Sequence, residues 1–517
     1  MSDQNEVKRS GVPIWALAVI VIVAAGITFA ITAIVANIGE KKGQSDTEFT
    51  LVVPLADQSF DPAVWGQNFP NQYNGWQATE KQKPKHYMAA LIPHVSPEVE
   101  VLPDSWYPKW EDTRTQVTPS KIEEDPRLKT MWAGYAFAID YRHLRGHQWM
   151  LIDQRSTLRV ANPRTQPGAC VNCHASTVEM MESLGGGTDE AAWQRGFEAF
   201  NPMHFGDATE LVTDPIGCID CHDPATMQLR ISRPALINGL KAWKASQGIT
   251  NYDVNKDATT QEMRSFVCAQ CHVEYYFEAT NKNVTFPWAD GLDIDQAYGY
   301  YDDVRAETDF KGDFKSAKTG AMILKVQHPE FESWSTSVHA LNGVSCADCH
   351  MAYNRVGAMK VSNHDVTTPM VNINGTCGQC HTASDQVIEE RVRTIQHRFK
   401  LSRDVAFDSL VALIAAINEK QEEWGDDPTT TEIEGSNADI LGAAMEMQRK
   451  ASFYMDWAYS ENSYGFHSPD YFQRICNQSL DFSRQGQLLL AGVPASQMAP
   501  SDISQTNRQK IEDSGLI

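Results

Sequence analysis

Cys170-Val171-Asn172-Cys173-His174 sets two thiols three positions apart and an imidazole directly after the second. The same C-x-x-C-H pattern recurs at Cys218–His222, Cys268–His272, Cys346–His350 and Cys377–His381, so five copies use ten of the eleven cysteines. In this arrangement two thiols add across the vinyl groups of a haem and the adjoining imidazole ligates its iron, the attachment signature of c-type haem. Cys170, Cys173, Cys218, Cys221, Cys268, Cys271, Cys346, Cys349, Cys377 and Cys380 become thioether positions. His174, His222, His272, His350 and His381 become iron ligands. A structural zinc site wants four ligands in convergent pairs. A disulfide framework has no use for a histidine after every pair, and ferredoxin-type iron–sulfur spacing differs. The expectation is five covalently attached haem c groups. Cys476 stands alone and reads as a small buried apolar residue.

Outward from the motifs, residues 12–38 (VPIWALAVIVIVAAGITFAITAIVANI) carry no charge and are long enough to span a bilayer as a helix. Lys8 and Arg9 precede them and favour a cytoplasmic 1–11 tail. The apolar run exceeds an ordinary signal core, so a retained anchor is expected in preference to a cleaved signal. Residues 39–50 read as a tether, and everything beyond faces the extracytoplasmic, periplasmic side, a compartment consistent with covalent haem attachment. The formal net charge of −22 argues against a nucleic-acid partner. It does not exclude an anionic substrate in a locally basic pocket.

The fold class expected is mainly α: a multihaem cytochrome c fold with a haem-packed core, few short strands and long C-terminal helices, plus the N-terminal transmembrane helix. Residues 51–382 hold the motifs among Pro- and Gly-rich breaks, and Gly185-Gly186-Gly187 reads as a flexible turn. Residues 383–517 form a helical region with the character of a dimer surface. Phe407, Leu410, Ile414 and Ile417 recur at helical spacing within 382–424, as one long helix or two. Asp426-Asp427-Pro428-Thr429 breaks the pattern, and further helices follow at about 438–462 and 470–492. Met447 and Met455 read as packing rather than as ligands.

Fifteen histidines are present. After the motifs, His86, His94, His143, His147, His204, His328, His339, His364, His397 and His467 remain, enough to close all five irons, so counting alone shows no open one. Three clusters stand out: Arg155 to Arg159 before the first motif, Glu274-Tyr275-Tyr276-Phe277 after the third, and Lys325-Val326-Gln327-His328-Pro329-Glu330 before the fourth. Carboxylate and carbonyl oxygens suit a hard cation of the calcium kind. Arginine, histidine and phenol beside an iron would make an anion pocket with proton donors. The plainer alternative is ordinary buried polar residues supporting haem propionates.

On WAGYAFAIDYRHLRGH, CAQCHVEYYF, NKNVTFPWADG, KVQHPEFESW, the closing FHSPD and the ordered motifs, the chain resembles the pentahaem cytochrome c nitrite reductases, which form ammonia. The resemblance covers about 60 to 480. It implies a catalytic haem at Cys170, Cys173 and His174, with Arg159, Tyr275 and His328 as distal-pocket residues. It implies one Ca2+ held by Glu274, Tyr275, Lys325 and Gln327, with Tyr275 and Lys325 giving backbone oxygens. It implies that His147 closes the haem of His272, His364 that of His222, His467 that of His350 and His339 that of His381. Most members carry lysine where this chain has His174, with a histidine-ligated minority. The implied activity is six-electron reduction of nitrite at a ligand-accessible haem fed by four bis-His haems. Hydroxylamine or sulfite reduction and a non-catalytic electron conduit stand as alternatives. The implied partners are a second copy of the chain and a membrane quinol-oxidising multihaem cytochrome as electron donor.

Overall fold

A continuous helix runs from Ile14 to Thr47 and so carries on through most of the stretch read as a tether. Within it Ala18–Ala36 is the one span among the described residues long and apolar enough to cross a membrane or to serve as a signal segment. Thr28 and Thr32 donate their hydroxyls back to the carbonyls of Ala24 and Thr28, both at 2.8 Å. Those back-bonds satisfy the only polar side chains of that span without water. The computed structural model describes residues 14–47, 51–56, 58–82, 118–161, 166–425 and 437–493. Met1–Pro54 and Leu55–Ile517 form separate compact units. His86, His94, the Asp426–Thr429 break and the residues after 493 lie outside the described ones.

The Leu55–Ile517 unit is mainly helical. Short helices wrap the motif region, and several start where the sequence supplies a cap. Asp61 Oδ1 accepts the amide of Ala63 at 2.7 Å with Pro62 in the first turn, and Pro70 and Pro234 likewise begin helices. Proline suits that position because its missing N–H would have had no partner. Strands are confined, among the described residues, to three antiparallel pairs: β1 (Tyr276–Phe277) with β2 (Val284–Thr285), β3 (Phe314–Lys315) with β4 (Met322–Ile323), and β5 (Tyr353–Val356) with β6 (Met359–Ser362).

Three long helices follow the last motif: Asp385–Trp424, Ala438–Ser460 and Pro469–Leu490. The first is one uninterrupted helix, opened by Ser384 and closed by Gly425 in the left-handed conformation at φ 77°. Its Phe407, Leu410, Ile414 and Ile417 are buried. Met455 and Cys476 pack in the same apolar core.

That core joins the C-terminal helices to Trp132, Tyr301, Phe310, Ile323 and Val326. A second core surrounds the first three motifs, built from Val171, Ile219, Ala269, Trp193, Phe197 and Trp288 among others. Neither core comes from a long apolar run. Each is assembled from single residues on many short segments.

The triple glycine does two jobs. Gly186 caps the Val178–Gly185 helix at φ 71°. Gly185 instead lets this helix lie against the Glu190–Phe200 helix, since a Cβ there would sit 1.9 Å from the Ala192 carbonyl oxygen. Gly196 answers it from the other side, where a Cβ would stand 2.1 Å from the Met181 oxygen. Gly196→Ala should therefore destabilise the protein by about 1–3 kcal/mol through overpacking. Gly442→Ala, in a helix with open space around it, should stabilise by up to about 1 kcal/mol. Denaturant unfolding of the two variants reads the contrast, and equal effects would contradict the close-contact argument.

Candidate haem and distal-pocket site

Each motif forms one helical turn: Val171–His174 after the Gly168–Cys170 turn, Cys218–Cys221, the end of the Thr260–Ala269 helix, Cys346–His350, and Cys377–Gln379. Thiols three positions apart then share a side of the turn. No disulfide joins any of the eleven cysteines. Cys173 and Cys271 lie close enough to perturb one another, as do Cys268 and Cys346, so the third motif lies against both the first and the fourth.

Four motif histidines face a second ring. The centroid separations are 6.5 Å for His272 and His147, 6.2 Å for His222 and His364, 6.3 Å for His350 and His467, and 6.3 Å for His381 and His339. Two imidazoles on opposite sides of one iron stand about 6.3 Å apart, because each metal–nitrogen bond is about 2 Å and each nitrogen about 1.1 Å from its ring centre. The residues thus fit a haem iron at four positions.

Nitrogen assignments agree. His222 Nδ1 faces the Met227 carbonyl at 2.9 Å, His350 Nδ1 that of Thr367 at 2.9 Å, His364 Nδ1 that of Ser362 at 2.9 Å, and His174 Nδ1 that of Met150 at 3.3 Å. A carbonyl only accepts, so Nδ1 carries the hydrogen and Nε2 keeps the lone pair a metal needs. Burial also holds His174, His222 and His350 neutral, down to about 4, and His272 to about 3.

His328 lies 6.5 Å from His272 too, which makes it a geometric rival to His147. Glu330 lies between two of these rings: His272 Nδ1 is 3.9 Å from one of its oxygens and His328 Nδ1 is 4.0 Å from the other. His147 and His328 stand at the same centroid separation from His272.

No described histidine ring stands opposite His174 at such a distance. Its surroundings are different. Arg159 lies close enough to His174 and Cys170 to shift them, Tyr275 is close to Cys170 and Cys173, and His328 is close to His174. Among the described residues Arg159 donates to neutral oxygens, Asp140 O at 3.2 Å, Thr157 Oγ1 at 3.0 Å and Gln154 Oε1 at 3.0 Å, and no carboxylate bonds it. Its guanidinium lies over the Phe137 ring, 4.6 Å from the centroid. Arg155, from the same cluster, is occupied by Thr209 and the Val212 carbonyl. Burial drives the Tyr275 phenol well above its usual range and His328 well below. Both are neutral near pH 7, and His328 Nδ1 is buried without a partner.

Glu274 is fully buried. Its two oxygens accept the Tyr301 hydroxyl at 2.8 Å and the Gln327 amide at 2.6 Å. The second bond ties the segment bearing Tyr275 to the segment bearing His328. Among the described residues no cation pairs with Glu274, and burial holds its carboxyl well above the usual range. Lys325, beside it in sequence, sends its ammonium to Asp456 at 3.0 Å, both side chains 1% exposed. No cluster of three or more His, Cys, Asp or Glu side chains that could hold a metal ion occurs among the described residues. Any cation at Glu274 would have to take backbone and amide oxygens as well.

Of the remaining histidines, His143 pairs with Glu124 at 2.9 Å, and His204 opens the Phe205–Glu210 helix. Sequence inspection overlooked Asp313, Asp456 and Glu461. Asp456 meets Lys325 only across the fold, so nothing in its local spacing marks it.

These features define a multihaem c-type cytochrome. The chain belongs to the cytochrome c552 family, which it matches over residues 61–515. It is 32% identical over 492 residues to a cytochrome c-552 of Bacteroides fragilis, covering 93% of this chain and 87% of that one. It is also 32% identical over 486 residues to the cytochrome c nitrite reductase subunit NrfA of Nitratidesulfovibrio vulgaris, covering 89% and 85%. Among solved structures it resembles the catalytic subunit NrfA of the Desulfovibrio desulfuricans cytochrome c nitrite reductase, with a TM-score of 0.66, 26% identity, and coverage of 85% and 88%. Membership carries covalent haem c and places the chain among oxidoreductases of the cytochrome c nitrite reductase family.

Asp313 supplies a pH test of this region. It accepts the Lys325 amide at 2.8 Å, and burial raises its carboxyl from 3.8 to about 7. The native state then holds a proton that the unfolded chain releases, so its contribution falls as pH rises from about 4 to about 7 and levels off above. Asp313→Asn removes that loss. Without added divalent cation, denaturant unfolding should show the variant gaining on the wild type across that window, and parallel curves would contradict the buried-carboxyl assignment.

Proposed function

We propose that the chain reduces nitrite to ammonia, taking six electrons at a haem held by Cys170, Cys173 and His174. The other four motifs carry relay haems closed by His147, His364, His467 and His339. The observation that supports this is an asymmetry. Four motif histidines face a second ring across the span of one iron, whereas His174 has Arg159, Tyr275 and His328 for neighbours. An electron conduit would have no use for a fifth site of that composition.

When bound, the haem at His174 supplies a redox-active iron with a coordination position for the substrate. Arg159 holds the anion. No carboxylate among the described residues bonds its guanidinium, and it is half-buried, where a fixed charge is worth more than in water. His328, neutral, passes protons to the substrate oxygen from its ring nitrogen. Tyr275 keeps its phenolic hydrogen and donates a hydrogen bond. Glu274 fixes both, because its bond to the Gln327 amide joins their two segments. A calcium ion taken up by Glu274, the Tyr275 and Lys325 carbonyls and the Gln327 side chain would compensate the buried carboxylate and stiffen that joint. The wider reading includes a homodimer built through the 383–517 helices, a periplasmic location, and a membrane quinol-oxidising multihaem cytochrome as electron donor.

His328→Ala should keep the wild-type haem content and lower nitrite turnover by about 10²–10⁴-fold, the usual worth of a positioned acid–base group. Unchanged six-electron turnover in that variant would remove His328 from the mechanism. Visible and EPR spectra of the oxidised wild type, with and without nitrite, should reveal one ligand-accessible iron and four low-spin ones. Five low-spin, nitrite-insensitive haems would establish the conduit instead.

A further inference from the structure

Three of the five motifs are tied to one residue. Arg233, at the start of the Pro234–Ser246 helix, is 0% exposed. Its Nε donates to the Asn172 carbonyl at 2.7 Å and its Nη2 to the Ala175 carbonyl at 2.7 Å, on either side of Cys173 and His174. Its Nη1 pairs with Asp220 Oδ1 at 3.0 Å, inside the second motif. Its backbone N–H donates to Gln270 Oε1 at 3.2 Å, inside the third. Gln270 Nε2 closes the ring by donating to the Asp220 carbonyl at 3.2 Å.

Asn172, Asp220 and Gln270 each occupy the last variable position of their C-x-x-C, and all three are fully buried. The fourth motif has Asp348 there, bound at 2.6 Å by Arg264 of the helix that leads into the third motif. The preceding variable position is apolar or glycine in every copy: Val171, Ile219, Ala269, Ala347 and Gly378. In the second, third and fourth motifs the last variable side chain is thus a polar attachment point to another segment, whereas the first is held through the Asn172 backbone carbonyl.

A guanidinium with its three nitrogens in directed bonds has a fixed orientation, and a lysine ammonium in its place could not reach all three acceptors. We infer that Arg233 is the positioning residue that sets the relative placement of the haems on the first three motifs, and hence electron transfer into the haem at His174. The inference rests on the pentahaem reading above. Tunnelling between haems weakens steeply with edge separation, and sub-ångström placement needs a rigid supporting shell.

Two variants of the full haem-loaded protein test it. Arg233→Lys keeps a cation beside Asp220 but loses the fork. Gln270→Met keeps the side-chain volume, detaches the third motif and leaves Arg233 on the first two. With five haems per chain by intact mass, both should shift the midpoint potentials of the haems on the first three motifs in spectroelectrochemical titration. Both should weaken any coupling between the first and third irons that low-temperature EPR of the wild type shows, with the fourth and fifth potentials unmoved. Steady-state turnover should fall in kcat at unchanged KM for nitrite, since Arg233 lies behind the motifs and not among the distal-pocket residues. Loss of haem confined to the first three motifs in Arg233→Lys would also support the clasp. Five loaded haems with wild-type potentials and coupling in both variants would overturn it alone. A wild type lacking haem at one of the first three motifs would overturn the pentahaem reading and the clasp together.

Discussion

An iron held between two imidazoles demands that the rings face one another at one separation, and this chain meets the demand four times with partners drawn from distant segments. His147 precedes the first motif, yet stands 6.5 Å from His272 of the third. His467, between two C-terminal helices, stands 6.3 Å from His350. Such rings must be neutral, aimed and immobile. Backbone carbonyls of Met227, Thr367 and Ser362 aim them by taking the Nδ1 hydrogen. Burial keeps His222, His272 and His350 neutral, while the Glu461 carboxylate pulls His467 the other way.

The same economy of charge distinguishes the first motif. Arg233 meets Asp220, and Lys325 meets Asp456, as buried ion pairs. Around His174, among the described residues, Arg159 bonds neutral oxygens and lies over the Phe137 ring, while Glu274 has neutral donors and burial drives its carboxyl towards the protonated form. A buried charge without a partner is costly.

The C-terminal helices also reach into the rest of the fold. Asp456 reaches from the middle helix to Lys325, the Val326 amide and the Trp132 indole. Glu461, just beyond that helix, accepts from His467 Nδ1. Helices after the last motif therefore brace the Lys325–His328 segment and one relay ligand. The apolar core around Phe407, Phe453 and Trp457 holds them there.

Local physics made much of this chain legible. The C-x-x-C-H turns, the long helices with their caps and the apolar N-terminal span all follow from residues within a few positions of one another, where helical geometry alone decides what meets. Resemblance proposed which histidine serves which motif, but spacing could not, since ten spare rings allowed many pairings. Only the tertiary structure set both His147 and His328 6.5 Å from His272, since neither lies near it in sequence. Only it joined Arg233 to three motifs at once. A side chain's partners across the fold depend on how dozens of short segments pack. Its own sequence supplies the donors, while the choice of acceptors belongs to the assembled core.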